Sequence, residues 1–444
     1  MPEKTNARKT AFRLLLRIEK GGAFSDRLLA GPQVADLKDP RDRTLVHELV
    51  AGVERWKLRL DRVIDMYYTK RANSLSPEIR MILRLGFFQL MFLDAVPARA
   101  AVYESVQLAS EIQGKGAGSL VNALLRRFTR EGEPNEWPSE PAERLSMEMS
   151  FPLWLARRWI QNFGLETAQA VMQASNRKHP VFIRSNRLKI TQGELSSLLS
   201  DKGYDTSKIE EIPGYLSVSE SQGLFDSSIF REGYCTVQDP AAGMASILLD
   251  PQPGENVLDL CSAPGGKTTH IAELMDDKGQ ITALDINPGR LRLVEEISGR
   301  LGVTSVTAIL GNASEFDGDK IGQFDRVLLD VPCTGTGVLA KRPDKKWRIG
   351  EEDSGRLAEL QMVMLENAAR LTKPGGTLVY STCSLEPEED GDIIGRFLEK
   401  NRNFSQEKDS RFEKYAIDKG YLIFPHLMYG TGSFAAKMKR DLHV

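Results

Sequence analysis

Cysteine is scarce in this chain of 444 residues, with only four, at positions 235, 261, 333 and 383. No two of them form a C-x-x-C pair, and the five histidines fall at no ligand spacing, so neither a structural zinc site nor another metal is expected. Long apolar runs are also missing. The greasiest stretch, Leu85–Leu93, carries Gln89 and falls far short of the ~18 residues a membrane span needs. Near the N-terminus only Leu14–Leu16 is apolar, too short for an export-signal core, so a disulfide framework is not expected either. With 37 Gly and 21 Pro the composition is neither collagen-like nor low in complexity. The expectation is a globular, cytoplasmic protein without a membrane partner, and nothing in the sequence requires more than a monomer.

At roughly 150 residues per domain, the length suggests two or three domains. The net charge of −2 hides an asymmetry: residues 1–130 hold 23 Lys/Arg against 14 Asp/Glu, and the remainder 36 against 47. A basic block on an acidic body suggests a polyanion partner for the block. That block reads as an all-α bundle. Ala11, Leu14, Leu15 and Ile18 repeat at helical spacing, as do Val46, Leu49, Val50 and Val53. Residues 131–150, rich in Pro, Glu and Ser, read as a linker. Residues 151–233 read as a small α+β module. From 234 to 444 strands and helices alternate, with strands expected at Asn256–Leu260, Gln280–Asp285, Ser305–Ile309, Arg326–Asp330 and Thr377–Tyr380. That grammar predicts a Rossmann-like doubly wound α/β domain. His426–Arg440 reads as a final hairpin closing its sheet.

The run VLDLCSAPGGKTTHIAELM (257–275) is a buried strand, a turn and a helix start. Its turn, Cys261-Ser262-Ala263-Pro264-Gly265-Gly266-Lys267, has two glycines where backbone can approach a ligand and a helix N-terminus offering N–H groups. Asp285 closes the next strand, where an acid grips a ribose hydroxyl in nucleotide folds. A P-loop would need glycine at 261, where Cys261 stands, and a dinucleotide site would need G-x-G-x-x-G. Fewer glycines followed by Asp285 fit a cofactor with one ribose and no pyrophosphate, such as S-adenosylmethionine.

FDRVLLDVPCTGTG (324–337) is a strand ending in Asp330-Val331-Pro332-Cys333, and PGGTLVYSTCS (374–384) is another ending in Cys383. Ligands of open α/β sheets bind at the carboxyl ends of strands, so both thiols are expected at the working edge. Two thiols beside a methyl donor suggest methylation of cytosine C5. A thiolate adding at C6 makes C5 nucleophilic, and a second cysteine can assist release. Asp330 would meet the N3/N4 edge of the base or place the cofactor. Such a base must be single-stranded or flipped out.

These motifs resemble the RNA 5-methylcytosine methyltransferases: DLCSAPGGKTTH is similar to their cofactor motif, DVPCTGTG to their fourth motif and STCS to their sixth. PRDRTLVHELV, VPARAAVYESVQLA and LVNALLRRF resemble the NusB-like RNA-binding domain, and NRKHPVFIRSNRLKI the small module that follows it. The combination resembles the RsmB/Sun (Fmu) group, which methylates a cytosine of 16S rRNA. The resemblance implies that Cys383 attacks C6, that Cys333 acts in release, and that Cys261–Lys267, Asp285, Asn312 and Asp330 hold S-adenosylmethionine. Asn312 stands where the family usually has an acid, and Thr334 replaces a commoner serine. The same chemistry on tRNA, or a non-catalytic RNA-binding assembly factor, are the rival readings. Lys341–Arg348 (KRPDKKWR) is expected to contact RNA, with Trp347 stacking on a base. Cys261 is expected to line the site without reacting and Cys235 to serve packing. Glu386, Glu388, Glu389 and Asp390 are read as acids complementing a helix dipole.

Overall fold

The computed structural model describes residues 6–68, 75–317 and 324–442, and packs them as two units, one of residues 1–176 with 339–349 and one of 177–338 with 350–444. The first unit is helical, built on Ala7–Gly21, Pro40–Tyr67, Pro77–Phe92 and Ala98–Glu131. Its core is made by the residues whose spacing marked them in sequence: Leu14, Leu15, Val46, Leu49, Val50 and Val53 are fully buried. Gly52 has a packing role, because a Cβ there would lie 1.9 Å from the Phe88 ring. The expected linker differs from the structure. Pro141–Met149 is a helix, with Pro141 in its first turn and Glu140 capping the N–H groups of Ala142 and Glu143. Proline and glutamate, read as linker composition, here mark a helix start.

Glu54 gives this unit a pH dependence. Its carboxyl is buried, and burial pushes it up to about 7 against the pull of Lys57. A raised carboxyl stabilises the fold fully below its ordinary value of 4.5, and that contribution is lost as pH rises through 7. The loss amounts to about 3 kcal/mol. Glu54→Gln is therefore expected to gain on wild type between pH 5 and pH 8.5, by roughly 5 °C in unfolding midpoint. An equal gap at both pH values would contradict this.

The second unit begins with an antiparallel sheet of β1 (Val181–Ser185), β2 (Thr206–Lys208), β3 (Tyr215–Val218) and β4 (Cys235–Val237), in the order β2-β3-β1-β4. The larger sheet holds β5 (Asn256–Leu260), β6 (Gln280–Asp285), β7 (Val306–Leu310), β8 (Phe324–Asp330) and β9 (Thr372–Thr382), parallel in the order β9-β8-β5-β6-β7. β10 (Phe404–Gln406), β11 (Ala416–Ile417), β12 (Gly420–Ile423) and β13 (Ser433–Arg440) extend it antiparallel beyond β9. The hairpin expected within 426–440 is not found: that range holds one strand, β13, which lies inside the sheet between β9 and β12 rather than closing its edge. From β5 the chain steps one way to β6 and β7, and from β8 the other way to β9, so the sheet is doubly wound. The order reverses between β5 and β8, the place where such sheets bind ligands. Among the described residues no helix is long and apolar enough to cross a membrane.

Candidate active site

β5, buried from Val257 to Leu260, delivers the chain into the turn at Cys261, which takes a left-handed φ of 62°. Gly265 follows with φ 106°, and a Cβ there would meet Val294 Cα at 3.0 Å, so both backbone shape and space demand glycine. The helix Gly266–Leu274 starts at once, and N–H groups of its first turn lack intrahelical acceptors. At Gly266 an added Cβ would make ordinary contact with Gln238 Nε2 at 3.7 Å, so that position is not closely pressed. Asp285, buried at the end of β6, accepts from Ala263 N at 3.1 Å and Asn287 N at 2.9 Å, which ties the turn to the next strand. The turn, its helix N-terminus and the carboxylate together fit a cofactor with one ribose.

Lys267 and Asp330 span the point where the strand order reverses. Lys267 Nζ lies 2.8 Å from Asp330 Oδ2, and Ser381 Oγ donates to Asp330 Oδ1 at 2.7 Å. Burial alone would lower the Lys267 ammonium, but Asp330 first and then Cys383 outweigh it and hold it above its ordinary value. β8 and β9 are parallel neighbours with Asp330 opposite Ser381, so the turns that follow them meet. There Cys333 Sγ and Cys383 Sγ stand 3.2 Å apart, both half-buried and neither in a disulfide.

The other two thiols behave differently. Burial, reinforced by the charges of Asp330 and Asp285, pushes Cys261 up to about 12, and burial pushes Cys235 up to about 11. Neither is a thiolate near neutral pH. Asn312 follows β7 at the same edge, but its Oδ1 accepts from Ser314 N at 3.1 Å and Ser314 Oγ at 2.8 Å. The acceptor expected for an adenine amino group is therefore engaged in a local turn.

Two sequence readings change. Lys341–Arg348 belongs to the helical unit rather than to a free basic loop. Lys346 is buried over Phe151 with its Nζ donating to Arg55 O at 2.7 Å, and Trp347 Nε1 donates to Glu54 O at 2.7 Å. Asp344 accepts from Ser25 Oγ at 2.5 Å. These bonds engage Lys346 and Trp347 within the helical unit, while Lys341 and Arg342 remain exposed. Glu386, Glu389 and Asp390, read as acids at a helix start, are buried, and Glu389 and Asp390 do stand just before the helix Gly391–Lys400.

Sequence reasoning also missed Arg184 on β1. It is buried against Glu273, with Nη2 2.6 Å from Oε1, and donates to Gly266 O at 3.0 Å, holding the first turn of the Gly266–Leu274 helix. An isolated arginine in an apolar strand was the available signal. Among the described residues no group of His, Cys, Asp and Glu is arranged to hold a metal ion.

The chain matches three families: the 16S rRNA methyltransferase RsmB/F family over residues 246–439, the NusB family over 5–130, and the RsmF/B-like ferredoxin-like domain over 151–222. It is 33% identical over 453 residues to a probable ribosomal RNA small subunit methyltransferase B of Bacillus subtilis, covering 99% of both chains. It is 36% identical to the Synechocystis protein of the same description, covering 98% of this chain and 99% of that one. The solved structure of PH0851 matches with a TM-score of 0.80 at 28% identity, over 99% of this chain and 100% of that one.

Proposed function

Because the chain belongs to the ribosomal RNA small subunit methyltransferase B family, and so is a methyltransferase that uses S-adenosylmethionine, we propose that it methylates C5 of a cytosine in 16S rRNA through a covalent cysteine adduct. The observation that carries this reading is the 3.2 Å approach of Cys333 and Cys383 at the strand edge beside the Cys261–Lys267 turn. The turn, Asp285 and Lys267 would hold S-adenosylmethionine, which supplies an electrophilic methyl group when bound.

The protein's own residues then divide the work. Cys383 adds through sulfur to C6 of the flipped-out cytosine, forming a C–S bond and pushing the ring electrons towards C5. After alkylation, the C5 proton passes to a base or water, the C5–H electron pair re-forms the C5–C6 double bond, and the C6–S pair leaves with the Cys383 sulfur. Cys333, 3.2 Å from Cys383, assists that elimination. Asp330, fixed by Lys267 and Ser381, presents a carboxylate to the polar edge of the base.

Incubation with methyl-labelled S-adenosylmethionine and purified 16S rRNA or tRNA tests the substrate. The expected result is label in 16S rRNA, recovered as 5-methylcytosine. Label confined to tRNA would move the substrate, and cofactor binding without transfer to either RNA would favour an assembly factor.

A further inference from the structure

One buried carboxylate touches both cysteine turns. Glu389 is fully buried on the turn that precedes the helix Gly391–Lys400. Its Oε1 accepts from the backbone N–H of Thr334 at 2.9 Å and from Gln361 Nε2 at 3.0 Å. Its Oε2 accepts from the hydroxyls of Ser384, at 2.5 Å, and of Thr334. Thr334 directly follows Cys333, and Ser384 directly follows Cys383. Four donors therefore converge on one group, two of them from the residue after one catalytic thiol and one from the residue after the other.

We propose that Glu389 is a positioning residue that sets the spacing of Cys333 and Cys383; the proposal rests on the two-cysteine reading above. Four converging donors suit a carboxylate, whose two oxygens offer four lone-pair directions. Among the described residues no cation forms an ion pair with Glu389, so the donors alone compensate its burial. The surroundings reinforce this role. Gln361 also donates to Pro332 O at 2.9 Å, on the residue before Cys333. The Tyr380 hydroxyl lies 2.7 Å from Glu389 O and 3.1 Å from Gln361 Oε1. Gly337 N donates to Cys383 O at 2.9 Å, a second link between the turns. The role also explains why threonine serves at position 334: it keeps the hydroxyl that the carboxylate binds.

The expected consequence is a loss of rate rather than of cofactor binding. A misplacement of about 1 Å can cost about 100-fold in rate. Glu389→Ala should therefore lower kcat about 100-fold, with the Kd for S-adenosylmethionine within about threefold of wild type, because the Cys261–Lys267 turn is untouched. Glu389→Gln should recover most of the rate: its carbonyl oxygen serves the two N–H donors while the hydroxyls of Thr334 and Ser384 turn to accept from its amide. Should Glu389→Ala fold poorly, Thr334→Val removes one hydroxyl bond without the buried charge, and is expected to cost about tenfold.

Thiol spacing is read directly with phenylarsine oxide, which condenses with two adjacent thiols and releases water. Wild type and Glu389→Gln should bind it tightly, Cys333→Ala should not, and Glu389→Ala or Thr334→Val should bind at least about tenfold more weakly than wild type. Wild type binding no better than Cys333→Ala would overturn the proposal, as would alanine and valine variants that match wild type in both arsenical affinity and kcat. The arsenical result does not depend on which cysteine attacks: if Cys383→Ala still methylates RNA, the two-cysteine reading fails while the spacing role of Glu389 is judged separately.

Discussion

Cys383→Ala is expected to lose methyl transfer to RNA by at least ~10⁴-fold, because removing the nucleophile of a covalent mechanism costs on that order or more. Its Kd for S-adenosylmethionine should stay close to that of wild type. The two expectations separate because the groups assigned to the cofactor lie on the turn after β5 and at Asp285, whereas Cys383 follows β9. The environment of Cys383 favours the role. The Lys267 ammonium stands close enough to Cys383 for the two groups to interact electrostatically. Cys333 does not substitute for it in this account, despite the 3.2 Å separation, since its turn serves release. Methyl transfer by rapid quench, with cofactor affinity by calorimetry on the same protein, checks both. A variant that keeps a tenth of wild-type activity would remove Cys383 as the nucleophile.

Cys333→Ala is expected to behave in the opposite way. Addition and alkylation proceed, and the reaction then halts with RNA attached to Cys383. Steady-state turnover should fall about 1,000-fold, within the range for loss of a group that assists proton transfer or departure. The first turnover should survive at near wild-type rate. A burst of about one methyl group per enzyme, followed by a flat line, is the expected trace; a uniformly slow reaction with no burst would place Cys333 in the addition step instead.

Much of this site was legible in the sequence because parallel sheets turn local motifs into spatial neighbours. Strand ends at Asp285, Asp330 and Cys383 were readable as strand ends, and the sheet then brings Asp330 and Cys333 beside Ser381 and Cys383. The helical unit was legible for a similar reason: a period of 3.6 residues is written directly into Val46, Leu49, Val50 and Val53. What the sequence concealed are contacts between distant segments. Trp347 in a basic run looks like a stacking platform until its indole N–H is found on Glu54 O, 293 residues away. Glu389 in an acidic run reads only as an acid complementing a helix dipole, and nothing in the run shows that Thr334, Gln361 and Ser384 converge on it. Asn312 reads as an adenine partner until Ser314 takes its oxygen. In each case residue type was compatible with both roles, and only the hydrogen-bond partners show which groups each side chain engages.

The central claim is that Cys383 carries the RNA and Cys333 lets it go. A denaturing gel of Cys333→Ala and Cys383→Ala, each incubated with 16S rRNA and S-adenosylmethionine, tests it most directly. The account predicts a covalent protein–RNA band that accumulates with Cys333→Ala and is absent with Cys383→Ala. A band with Cys383→Ala and none with Cys333→Ala would reverse the roles, and no band with either would contradict the covalent mechanism.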